Sequence, residues 1–368
     1  MHVGFVSNWC NRGQGVLTRL VRSIFDEAGC STFVLARPTN PKMPIGNFID
    51  TRGEWDDTRV THGSSFDMPP EEYVTWAKRC CLDVLFCDMN LQFEAIEKVR
   101  RIGVRTIGRF VWERFDKHHV EKAKRAYDVV YSLTRCEQVR YRGFGIESPY
   151  LRLGLHPGIE AASAPKRADG IYFIFHAGLR GPRKPMRSTI EAFKKVSAPH
   201  VRLIIKSQGV RENSEPVEIN DDPRIEHIVA DLPNVEYHKL FSSCHVCLSP
   251  SRWEGLGLHL YESLAHGMPV ISNDIPPINE VICHGRSGLL VRSVPVRTMY
   301  NGLTIYDPDS VHLRQCIEEL ADRERLNALT SSTRIEAGSD RFNWEHTRRE
   351  YLALARAQSL PASAMPRL

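Results

Sequence analysis

The segment Ser249–Glu262, SPSRWEGLGLHLYE, carries two carboxylates, Glu254 and Glu262, on either side of Gly255 and Gly257. The run His245–Ser249 predicts a strand that ends at Pro250. A loop with the two glycines follows, and then a helix over Leu256–His266 that Gly267 and Pro269 terminate. Glycines at that place let a ligand approach bare backbone amides at a helix N-terminus, an arrangement favourable to phosphate. Eight helical residues would span about 12 Å, an upper limit because part of the interval is loop. Two acids so separated can hold a sugar and a ribose with a diphosphate between them. By itself a Glu-x7-Glu spacing is also met in an ordinary strand–loop–helix with two surface glutamates.

The elements needed to place these groups are legible in the pattern. Val3–Ser7, Ser31–Leu35, Val84–Cys87, Val104–Gly108 and Val129–Leu133 predict strands, with helices over Gly15–Ala28, Leu91–Ile102 and Lys117–Tyr127. Residues 157–170, PGIEAASAPKRADG, predict an interdomain linker. The alternation then restarts with strands at Ile171–His176, Val201–Ile205 and Val270–Ser272 and helices near Arg187–Val196 and Ser310–Ala321. Trp344–Gln358 predicts a last amphipathic helix. Strands alternating with helices imply α/β architecture with parallel sheets covered on both faces. The expected organisation is a domain at 1–156, the linker, a second domain at 171–340, and a helix with a tail at 341–368.

Composition narrows the class. The 368 residues are 42% hydrophobic and 25% charged with a net charge of +5, the profile of a globular protein of about two domains. No apolar run reaches the ~18 residues of a membrane span, and Met1–Val6 does not begin as a secretory signal. The ten cysteines lack framework spacing, which favours reduced thiols and a cytoplasmic location. Cys244-His245-Val246-Cys247 runs into an apolar strand without a second ligand pair, so no metal is expected. Between Lys98 and Arg152 stand 14 Lys or Arg against 6 Asp or Glu, consistent either with an anionic partner or with a solvated helical face.

The run 249–282, SPSRWEGLGLHLYESLAHGMPVISNDIPPINEVI, closely resembles the nucleotide-sugar signature of family-4 retaining glycosyltransferases (glycosyl transferases group 1) of the GT-B fold. The family order Pro-Ser, Glu-Gly-Phe-Gly, Glu-Ala, Gly-x-Pro-Val-Ile and a later Glu is present, with Leu256 for Phe and Ser263 for Ala. Phe175–Pro185, FHAGLRGPRKP, resembles the family's Gly-Arg loop and following Lys. Gly178 to Lys184 keeps the family spacing, whereas Leu179 stands where the family has Arg, so that either Arg180 or Arg183 takes that role.

The resemblance implies two Rossmann-like doubly wound domains facing a central cleft, the last helix crossing back to the first. It implies a hexosyltransferase taking a nucleoside-diphosphate sugar, UDP-linked first and GDP-linked second, without a metal or other cofactor. Glu254 would hold hydroxyls of the donor sugar and Glu262 the ribose. Lys184 with Arg180 or Arg183 would bind the diphosphate, aided by Gly255, Leu256, Gly257 and Leu258. Gly13, Gln14 and Gly15 open the first helix and lack a dinucleotide fingerprint; in the family this loop faces diphosphate and acceptor. Arg109, with Glu113 nearby, replaces an active-site His of many members and marks the acceptor side.

The expected acceptor is a glycan or lipid-linked glycan, with DNA bearing hydroxymethylated bases as the alternative. Peripheral membrane association is compatible with this, and no obligate protein partner is evident. A nucleotide-sugar epimerase on the same fold and a non-catalytic anion-binding protein are the competing classes.

Overall fold

The computed structural model describes residues 1–42, 45–160, 162–210, 222–299 and 301–357. The chain divides into two compact units, Met1–Leu133 with Glu137–Arg152 and Glu345–Leu368, and Thr134–Cys136 with Leu153–Trp344.

In the first unit the strands are β1 (His2–Asn8), β2 (Ser31–Arg37), β3 (Val60–His62), β4 (Val84–Asp88), β5 (Arg105–Arg109) and β6 (Val129–Val130), and the helices are α1 (Gly13–Glu27), α2 (Pro70–Arg79), α3 (Phe93–Arg101), α4 (Val120–Ala126) and α5 (Arg135–Gly143). The six strands are parallel in the order β3-β2-β1-β4-β5-β6. β1 is buried along its middle five residues, as a strand covered on both faces must be. Phe5, Phe25 and Phe86 meet at centroid distances of 5.3–5.9 Å.

The second unit continues with α6 (Pro157–Glu160), β7 (Ile171–Arg180), α7 (Met186–Lys194), β8 (Val201–Val210), β9 (Ile225–Val229), α8 (Asn234–Ser243), β10 (Val246–Ser249), α9 (Leu258–Ala265), β11 (Val270–Asn273), α10 (Ile278–Val281), β12 (Gly288–Val291), a hairpin of β13 (Ser293–Thr298) and β14 (Thr304–Pro308), α11 (Ser310–Ala321) and α12 (Arg323–Ala337), whereas the last helix, α13 (Trp344–Arg356), belongs from Glu345 onward to the first unit. Its sheet runs β12-β11-β10-β7-β8-β9, the same winding as the first. Ile171, Phe173 and Phe175 share one core with Leu313, Ile317 and Leu320 of α11. Those helical positions recur at the spacing of one face. Asp309 and Asp322 cap α11 and α12 by accepting from their first-turn amides.

Three expectations need correction. The stretch 157–170 is not a free linker. It starts as a helix and is pinned to the second unit, where Ala164 N–H donates to Ser242 Oγ, Arg167 N–H to Ser243 O and Lys166 Nζ to Cys244 O. The strand at Val129 stops at Val130. The helix after the glycine loop starts at Leu258, because Gly257 takes a left-handed φ of +74° and cannot belong to it. The last helix rejoins the first unit: Tyr351 packs on Phe86 and Tyr131, and Arg152 pairs with Glu350.

In each sheet the winding reverses beside its first strand, between β1 and β4 and between β7 and β10. Open α/β sheets bind ligands outside the carboxyl ends of the strands at such a point.

Candidate functional site

The loops that leave β7 and β10 carry the chemistry of the second unit. The loop after β7 brings Arg183 and Lys184 to the first turn of α7, and the loop after β10 carries Ser251 and Glu254. The two loops are stitched by the Arg252 N–H, which donates to Arg183 O at 2.9 Å. Lys184 Nζ donates to Ser251 Oγ at 2.7 Å and to Glu254 Oε1 at 2.6 Å, and Arg183 Nη1 lies 3.5 Å from Glu254 Oε2. Lys184 and Glu254 are buried, whereas the Arg183 side chain is 42% exposed. Burial works to raise the Glu254 carboxyl, yet the charges of Arg183 and Lys184 outweigh it and hold it well below the usual carboxylate range. The cations are thus neutralised by a carboxylate within their own pocket.

Glu262 stands one turn into α9. Its Oε2 accepts from the Tyr237 hydroxyl at 2.9 Å, and that hydroxyl lies 3.1 Å from His176 Nδ1. His176 stacks on His259 with ring centroids 5.2 Å apart, and His259 Nε2 meets Ser249 Oγ at 2.6 Å. Ser249 Oγ and Ser251 Oγ are 3.3 Å apart. A buried polar chain therefore joins Lys184 and Glu254 to Glu262. Burial, and after it the Lys184 charge, pushes the His176 imidazole down to about 3, so both His176 and its stacked neighbour, lowered in the same way, are neutral at physiological pH.

Burial pushes the Glu262 carboxyl up from 4.5 to about 7, against the opposing hydrogen bond from Tyr237. The unfolded chain would lose this proton near 4.5. The group's contribution to stability is therefore full below that pH and is lost as pH rises through about 7. Glu262→Gln keeps the shape and removes the charge. It is expected to be about 1–3 kcal/mol more stable than the parent at pH 8 and nearly equal at pH 4.5, read by chemical denaturation. A carboxylate held at such a cost marks a group set for a ligand.

Gly257 is required by its left-handed φ of +74°, which a residue with a Cβ rarely adopts. Gly255 and Leu256 are buried, Leu258 is the first residue of α9, and no side chain caps that helix. Arg180 ends β7, and its side chain lies outside the described residues.

The remaining expected residues sit in the first unit. Gly13, Gln14 and Gly15 form the first turn of α1, where Gln14 Nε2 donates to Asp88 O. A Cβ on Gly15 would stand 2.4 Å from Cys10 O, so close backbone packing already demands this glycine. Glu113 follows β5, half-buried. Arg109 departs from an acceptor-side role. Its side chain is 1% exposed and is held by Asp88 at 3.0 Å and Glu137 at 2.5 Å. Burial opposes its charge, and the two carboxylates more than compensate.

Sequence reasoning did not single out Tyr237, His176, His259 or Ser249 as site residues. The available signal was local: His259 and Glu262, three apart on one helix, share a face, and His176 ends the apolar run that precedes the cationic loop.

Residues 170–303 match the family model described as glycosyl transferases group 1. An uncharacterized 41.2 kDa protein in the cps region of Klebsiella pneumoniae is 43% identical over 106 residues, 27% of this chain and 29% of that one. The chain aligns with only about 30% of the length of the curated relatives it matches. The solved sucrose-phosphate synthase of Thermosynechococcus elongatus superposes with a TM-score of 0.73 at 16% identity, over 97% of this chain and 98% of that one. The pneumococcal O-GlcNAc transferase GtfA in complex with UDP and GlcNAc superposes with a TM-score of 0.65 at 12% identity, over 96% and 98%. Residues 170–303 are thus similar to the glycosyl transferases group 1, and the two sheets are those of the GT-B fold.

Proposed function

We propose that the protein is a retaining hexosyltransferase that moves a sugar from a nucleoside diphosphate, UDP first, to a hydroxyl of a glycan or lipid-linked glycan. The observation that carries this reading is the buried Lys184–Glu254 pair with Arg183 beside it, placed by loops after adjacent strands at the switch point. Lys184 and Arg183 exchange Glu254 for the donor diphosphate, and the freed Glu254 accepts from sugar hydroxyls. Glu262 accepts from the ribose. In transfer the anomeric C–O bond to phosphate breaks and the bond to the acceptor oxygen forms on the same face. The acceptor proton passes to the leaving phosphate oxygen, and the nucleoside diphosphate departs. The two cations meet the charge that grows on it.

The basic block does not favour a DNA acceptor. Lys98, Arg100, Arg101, Arg109, Lys124, Arg125 and Arg152 each lie within 4.0 Å of a carboxylate oxygen. No helix among the described residues is long and apolar enough to cross a membrane, and we place the enzyme in the cytoplasm with access to a membrane surface.

Nucleotide release from a panel of sugar nucleotides, with and without acceptor glycans, tests the reading. Slow hydrolysis of one donor, accelerated by an acceptor, is expected. Sugar isomerisation with no release would identify an epimerase instead, and silence toward every donor would overturn the assignment. Glu262→Ala is expected to raise the donor Kd tenfold or more by calorimetry, with kcat at saturating donor less affected. In the parent enzyme donor affinity should weaken as pH falls below 7, because a protonated Glu262 no longer offers the ribose two acceptor oxygens.

A further inference from the structure

At the carboxyl end of β2 the first unit holds a cation with no acid beside it. Arg37 is 6% exposed, yet its only polar partners among the described residues are neutral: Asn90 Oδ1, 3.2 Å from Nη1, and the Tyr73 hydroxyl. Its guanidinium lies over the Phe66 ring at 4.4 Å, and its Nε has no partner. Arg109, buried at the carboxyl end of β5, is by contrast compensated by two carboxylates. An uncompensated buried charge is among the costliest features a fold can carry.

The surroundings are built to hold this cation in place. Asn90 is itself fixed, donating to the Tyr73 hydroxyl at 3.0 Å and receiving Gln92 N–H at 2.9 Å. Met89, just before it, adopts a left-handed φ of +53°, a strained state for a side chain with a Cβ that tends to occur where function demands it. Asn8 is the in-register neighbour of Arg37 on β1 and so shares its sheet face. Its Oδ1 is also buried without a partner. One orphan donor on a cation and one orphan acceptor thus stand on adjacent strands beside the switch point.

We propose that Arg37 is the counter-charge for an oxyanion, phosphate or carboxylate, borne by a hydroxylated acceptor, with Asn8 Oδ1 accepting a hydrogen bond from one of its hydroxyls. This deepens the transferase reading and rests on it for the word acceptor. The guanidinium supplies parallel N–H donors to the oxyanion, and the Phe66 face holds it flat. Neutral glycans leave the charge unmet and bind weakly.

Titration calorimetry on the full-length protein with D-glucose 6-phosphate, D-glucuronate, inorganic phosphate and D-glucose tests this. The anionic sugars should bind at least tenfold more tightly than glucose, and whichever of them binds better identifies the oxyanion. Inorganic phosphate binding as tightly as both anionic sugars would remove Asn8 and the hydroxyl from the proposal. Arg37→Met should lose tenfold or more of anion affinity while glucose binding stays put. Arg37→Lys keeps the charge without the fork and should lose three- to tenfold, which keeps the test open if the Met variant does not fold. Equal binding of glucose and glucose 6-phosphate by the parent, or undiminished anion binding in a folded Arg37 variant, would overturn the proposal. Nucleotide release measured alongside separates the two readings. Release without anion selectivity sinks Arg37 alone, and anion selectivity without release from any donor sinks the transferase.

Discussion

Lys184→Ala is expected to lower the transfer rate by about 10²- to 10³-fold while changing donor affinity by less than tenfold. The reason lies in what Nζ does in the resting site. It is buried, held by Ser251 and Glu254, and lies at the start of α7, so it meets the leaving diphosphate with little reorganisation. Arg183 keeps an exposed guanidinium near the same carboxylate and still attracts the donor, which is why binding suffers less than rate. Lys184→Arg should recover little, because a planar fork does not fit the pocket of a point charge. Single-turnover nucleotide release at saturating donor separates the two effects, and unchanged turnover in the alanine variant would remove Lys184 from the mechanism.

Arg109→Met is expected to cost the first unit about 3–5 kcal/mol. It strands Asp88 and Glu137 in the interior, with Glu137 oxygens also engaged by the Leu133 amide. For a 368-residue chain this corresponds to a melting point roughly 10 °C lower. Burial already raises both carboxyls, and losing the guanidinium raises them further. The deficit should therefore shrink as pH falls and both take up protons. A variant that melts normally but binds acceptor poorly would restore Arg109 to the acceptor side.

These two residues show where the sequence was informative. Lys184 sits in a local motif, FHAGLRGPRKP, whose spacing survives into the structure as one loop facing Glu254. Arg109 sits at a strand end like any ligand-facing cation, and nothing local reveals that Glu137, 28 residues away, turns it inward. The same limit explains Tyr237, which meets Glu262, and His176, which meets the Tyr237 hydroxyl, only because α8 and β7 are brought beside α9 by the winding of the sheet. Among the elements, β1 and α11 were legible because apolar spacing sets their bounds. The helix α12 buries only Leu326, Leu329, Thr333 and Glu336, too thin a stripe to read, and α2 leans on Tyr73, Trp76 and Ala77 in a mostly polar segment. Gly257 shortened the predicted helix by two residues because a backbone angle, and no side chain, decides that boundary.

The return of the last helix to the first unit sets an order of events during synthesis. Tyr351 completes the aromatic cluster around Phe86 and Tyr131, so the earliest residues made must wait for the last ones. At ribosomal speed the roughly 200 residues in between take about 10–40 s to emerge. Throughout that interval the nascent amino-terminal half presents an apolar flank, which makes it a natural client for chaperones while its neighbour is still being translated.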